Sequence, residues 1–249
     1  MNDSRDVDTT EKGGRDSSTG NRWGVIVTGD HTTLAILAAS FTEEDCRIAK
    51  VGDDYIVSSN AWNQIEIAQE VQETAEDLLS LISGSASLSV GNPAALEAGS
   101  VYEFKPDGSR GIHIIVSPGA CGSRGVPATI RAGGETHRPA DTVRDHLRLA
   151  REDDQVRKVL GIWAAAPHGW DELYRVYEFI EKDCGSKEIA AKGWASKSNC
   201  GRFTHTANDY RHPAREQQPP SNPMSLDEAR KFVRRLLGDW LEWRAGHSQ

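Results

Sequence analysis

Strand signals stop abruptly at residues 132–141 of this chain, and helical periodicity runs from there to the end. That single change limits the folds open to it. Before the change, short β-branched runs lie between turns: Trp23-Gly24-Val25-Ile26-Val27, Arg47 to Val51, Tyr55 to Ser58, Val101 to Lys105 and Ile112 to Val116. Such runs bounded by Gly, Pro and Asp are strands. After it, apolar residues recur at three and four positions, the spacing of one helix face. The predicted class is α+β, with an N-terminal antiparallel sheet carrying one long helix, followed by a C-terminal α-helical bundle.

Residues 1–21 hold no aromatic residue and a single Val, too little apolar surface to offset the entropy of ordering, so a disordered tail is expected. Residues 22–131 form the α+β domain. Within it Leu34, Leu37, Ala38 and Phe41 share a helical face, and Gly52-Asp53-Asp54 turns a hairpin. A long helix is expected from Trp62 to Ser83, with Ala68, Val71, Ala75, Leu78, Leu79 and Ile82 on its stripe. Gly84 is the expected stop, after which Ala86 to Val90 reads as a strand, as does Ala128 to Arg131. Residues 132–141, with Gly133-Gly134 and Pro139, read as a linker to a helical bundle domain over 142–249.

In that bundle Leu149, Val156, Leu160 and Trp163 line one long helix, with a break expected at Glu152-Asp153-Asp154. Trp170, Leu173, Tyr177 and Ile180 line the next, which Gly185 ends. Ser186 is the expected N-cap of a broken third segment running through Trp194 toward Ala207. Ser225 and Glu228 form a capping box ahead of the stripe Ala229, Val233, Leu236, Leu237 and Trp240.

A formal charge of −8 argues against a generally basic nucleic-acid coat. No apolar run approaches the roughly 20 residues of a membrane span, and the N-terminus lacks the apolar centre of a signal peptide. No membrane partner and a cytoplasmic location are therefore expected. Cys46, Cys121, Cys184 and Cys200 have no CxxC spacing and read as free thiols. The Gly-rich stretch Pro118 to Gly125 leads into Val126-Pro127 rather than a helix, so it reads as a loop between strands.

The richest chemistry lies in the fourteen residues from Arg202 to Arg215. Arg202, His205, Asn208, Tyr210, Arg211, His212 and Arg215 are the candidate binding residues, set at a junction between helices. From Ser196 to Arg235 eight Lys/Arg against four Asp/Glu leave +4, so the rest of a −8 chain carries −12. A basic pole on an acidic protein suits an anionic macromolecule, either nucleic acid or an acidic protein surface. The leading expectation is a non-catalytic interaction or regulatory module.

The alternative is a metal-independent ribonuclease, with His205 and His212 as acid and base and Arg202 or Arg211 facing the phosphorane charge. A helical bundle with Arg and His at a helix–loop junction resembles the HEPN ribonucleases over the C-terminal half. The Arg-to-His spacing of that family is not kept, since Arg202 lies too close to His205 and too far from His212. Cys184, Cys200, His205 and His212 are the weak metal candidates: only the Cys200-to-His205 spacing resembles a structural zinc knuckle, because Cys184 lacks a near partner. No cofactor is expected.

Overall fold

The computed structural model describes residues 20–90, 96–107, 109–115, 139–165, 168–211 and 221–247. The expected tail up to residue 19, the strand Ala128 to Arg131, the loop Pro118 to Gly125, His212 and Arg215 all lie outside them.

The protein is α+β, with a six-stranded antiparallel sheet ordered β2-β3-β4-β1-β5-β6 and a mostly helical C-terminal region. The run Trp23–Thr28 forms β1 at the centre of the sheet. Val25 pairs with Val57 of β4 (Asp54–Ser58) on one side and Val101 of β5 (Glu97–Phe104) on the other. All three are fully buried, so a row of β-branched side chains crosses the middle of the sheet. β2 (Thr42–Glu43) and β3 (Cys46–Val51) extend one edge, and β6 (Arg110–His113) the other. The expected hairpin joins β3 to β4 at Gly52, whose φ of 64° suits a residue without a Cβ.

Helices α1 (His31–Ser40) and α2 (Ala68–Val90) supply Leu34, Leu37, Val71, Ala75, Leu79 and Ile82 to the core behind the sheet. The expected long helix exists, with shifted ends. Trp62 sits instead in a short 3-10 turn, Asn60–Gln64, capped by Ser59. Gly84 does not stop α2, and Ala86 to Val90 is helix rather than strand. Packing is the reason. At Gly84 helix α2 meets α4 (Asp154–Ala164) so closely that a Cβ there would lie 2.4 Å from the Leu160 carbonyl oxygen. The glycine serves close approach, not capping.

Helix α3 (Pro139–Glu152) ends where expected, because Asp153 accepts hydrogen bonds from the Gln155 and Val156 amides and starts α4. Val143 and Leu147 of α3 join the sheet-side core, while its Leu149 and Ala150 join the core among the helices. Arg144 pairs with Glu43 and Arg151 with Asp45, fastening α3 to the β2–β3 turn. Helix α5 (Trp170–Cys184) ends at Gly185, as expected, with φ of 89°. Gly185, not Ser186, then occupies the N-cap of the short α6 (Ser186–Ala191). A turn at Gly193, φ 75°, separates it from α7 (Lys197–Arg211). Helix α8 (Leu226–Ala245) opens with the expected capping box. Among the described residues no helix is long and apolar enough to cross a membrane.

One contact in this packing titrates. The partly buried His146 of α3 sits 2.7 Å from the Ser85 hydroxyl of α2, and burial pushes its pKa from 6.5 down to about 4. Above about pH 6.5 the ring is neutral whether folded or unfolded, and between 6.5 and 4 only the unfolded chain takes the proton. Stability is therefore complete above the upper value and falls as pH drops through this window, by an amount on the order of 2–3 kcal/mol. Urea unfolding from pH 7 to pH 4 should show that slope, and His146→Gln should flatten it. In the same assay Gly84→Ala should cost about 2–3 kcal/mol, because the added methyl meets backbone that cannot move aside.

Candidate functional site

The segment expected to be the loop side of a helix junction is, as far as Arg211, helix α7 itself. Phe203, Thr206 and Ala207 form its buried stripe. The Phe203 ring lies 5.1 Å from Tyr177 and 5.2 Å from Phe232, with Trp170 and Tyr174 at 6.3 and 6.4 Å. This aromatic centre joins α5, α7 and α8, and such rings contribute beyond their buried area.

Polar groups complete the joint. The buried Thr206 hydroxyl donates to the Arg202 carbonyl at 2.8 Å and accepts from the Met224 amide at 3.0 Å. The Arg202 guanidinium donates to the carbonyls of Asn222 and Pro223, both at 3.0 Å, and meets the Glu228 carboxylate at 3.2 Å. Glu228 also accepts from the Ser225 amide, and that bond above all, with Arg202 adding to it, holds its carboxyl below the usual range. Arg202 is thus a staple between α7 and the start of α8.

The remaining described candidates spread around α7. Asn208 is half-buried within the helix and His205 is exposed. Arg211 donates from Nε to Asp171 at 3.1 Å and lies 4.1 Å over the Tyr174 ring. Tyr210 is 61% exposed, yet it stacks on Trp170 at 5.0 Å with an interplanar angle of 9°. Six positions separate His205 from Arg211, about 120° around the helix, so the two do not share a face. Trp170 is the member that sequence reasoning missed. It reads as a core stripe residue, but it stands in the first turn of α5, half out of the core, and forms the platform under Tyr210.

Four of the eight cations of the basic window have carboxylate partners. Arg202 pairs with Glu228, Arg211 with Asp171, Arg230 with Asp227 and Arg235 with Asp239. Of the metal candidates, Cys184, Cys200 and His205 lie among the described residues and form no metal-holding group. The Cys184 thiol donates to the Ile180 carbonyl at 3.0 Å, and burial raises the pKa of both Cys184 and Cys200. Among the described residues no group of three His, Cys, Asp or Glu side chains could hold a metal ion.

No family model, curated protein or solved structure matches this chain.

Thr206 offers a direct test of the joint. Thr206→Val keeps the shape of the side chain but strands the buried Met224 amide, which should cost about 1–3 kcal/mol in equilibrium unfolding. Thr206→Ser, which restores the hydroxyl, should recover most of that loss.

Proposed function

We propose that the protein is a non-catalytic interaction module whose contact surface is the shelf of Trp170, Tyr210 and Arg211 on α5 and α7, and that its partner is an acidic protein surface. The observation that carries this reading is Tyr210, a large ring left 61% exposed while held flat on Trp170. A ring so immobilised loses little entropy on binding, and Trp, Tyr and Arg are the residue types that dominate interface energies. Arg211 lies beside the shelf, its charge set between Asp171 and the Tyr174 face. An incoming carboxylate can compete for that guanidinium in the bidentate geometry that arginine favours.

An acidic protein suits the shelf better than a nucleic acid. Phosphate binding draws on several free cations at once, and four arginines of this region already have carboxylate partners. The ribonuclease reading meets a different difficulty, since Arg202 is held by Glu228 and two backbone carbonyls, and His205 lies about 120° around α7 from Arg211.

A photo-reactive phenylalanine analogue at position 210 should cross-link one acidic protein in native lysate, with or without nuclease treatment. Tyr210→Ala should weaken binding of that protein by tenfold or more, with little change in the melting temperature. Capture abolished by nuclease would replace the protein partner with a nucleic acid. Undiminished affinity in Tyr210→Ala would remove the shelf from the interface.

A further inference from the structure

The sheet has a second face. Trp23, Val25 and Val27 of β1 enter the core behind the sheet together with Ile48, Val57 and Val101. Side chains alternate along a strand, so the residues between them point the other way. Register places Ala49, Ile56 and Ile26 in one row there, and Gly24, Tyr102 and Ile112 in the next. An antiparallel sheet with one face in water alternates apolar with polar residues. Here Val25-Ile26-Val27 and Tyr55-Ile56-Val57 are apolar without a break, the pattern of strands covered on both sides.

Ile56 shows the consequence. It is 5% exposed, yet it belongs to neither hydrophobic core. Part of its cover comes from the second face. A Cβ added to Gly24 would lie 2.7 Å from Ile56 Cγ2 and 2.8 Å from the Phe104 ring, so the glycine lets that ring lie across β1 beside Ile56. Tyr102 stacks on Phe104 at 6.3 Å with an interplanar angle of 23°. Ile112, directly opposite Tyr102, is 59% exposed. These side chains make a continuous apolar layer, while α1 and α2 pack on the other side of the sheet.

The two ends of the strands differ in charge. Lys105 and Arg110 outnumber Asp107 at the β5–β6 turn, and Arg110 lies 5.8 Å over the Phe104 ring. Asp53, Asp54 and Glu97, all exposed, stand at the opposite end.

We propose that this face is a dimer interface, on which a second copy of the chain packs sheet against sheet. The two copies are related by a two-fold axis that lies between the sheets and perpendicular to the strands. Sheets packed face to face keep their strands within about 30° of alignment and share one apolar layer about 10 Å thick. This axis reverses the strands of the second copy. It sets Arg110 of each copy toward Glu97 of the other and leaves Ile26 and Ile56 near the axis. A two-fold along the strands would instead bring like charges together. The contact is self-complementary and closes at two copies. The inference does not depend on the shelf of α5 and α7.

Sedimentation velocity of the full chain over about 1–100 μM tests it, and conversion of monomer to dimer is expected. Ile112→Glu, at a position already facing solvent in the single chain, should weaken the dimer tenfold or more. Arg110→Glu should weaken it as well, and adding Glu97→Arg should restore it. Melting curves at the lowest concentration confirm that each variant folds. A monomer at every concentration overturns the proposal and leaves the face to another protein. A dimer that Ile112→Glu leaves unchanged, or a charge swap that restores nothing, overturns it too.

Discussion

Two helices meet backbone to backbone where Gly84 of α2 faces the Leu160 carbonyl of α4, and the rest of the structure is arranged around that contact. One length of α2 covers the sheet through Val71, Ala75, Leu79 and Ile82, while Leu81 and Leu88 pack toward the helical core. A single helix can serve both cores only if its neighbours come close, and the small residues Ser83, Gly84, Ser85 and Ala86 permit this. Further bonds then hold the same region: Ser85 to His146 of α3, and Arg234 of α8 to the Leu88 carbonyl at 2.6 Å.

Elements set by local chemistry were legible from the residues alone. The β3–β4 hairpin needed only its Gly52 turn, α5 its terminal Gly185, and α8 the reciprocal bonds of Ser225 and Glu228. The second half of α2 was not legible. The run Ser83 to Val90 holds one Gly and four Ser, which lowers its helix propensity, and tertiary packing supplies what propensity lacks. The same holds at Ser186, where a good capping residue lost the N-cap position to a glycine at positive φ.

The binding candidates show a comparable division. An unusual density of Arg, His and aromatic residues singled out this segment as a binding candidate, and the structure places it in α7, packed against α5 and α8. Composition could not separate the members that hold the fold, Arg202 and Thr206, from those left facing outward, Tyr210 and His205. That distinction depends on residues far along the chain, such as Asn222, Met224 and Glu228.

Glu228 joins three things at once: the cap of α8, the Ser225 amide and the guanidinium of Arg202. Helix α7 and the start of α8 are thereby moored to each other, with Asn222, Pro223 and Met224 adding bonds to Arg202 and Thr206. The entropy of closing a loop grows only with the logarithm of its length. Insertions and deletions between Arg211 and Ser221 should thus be absorbed with little change in how the two helices meet, which makes this stretch the natural place for the chain to acquire new sequence.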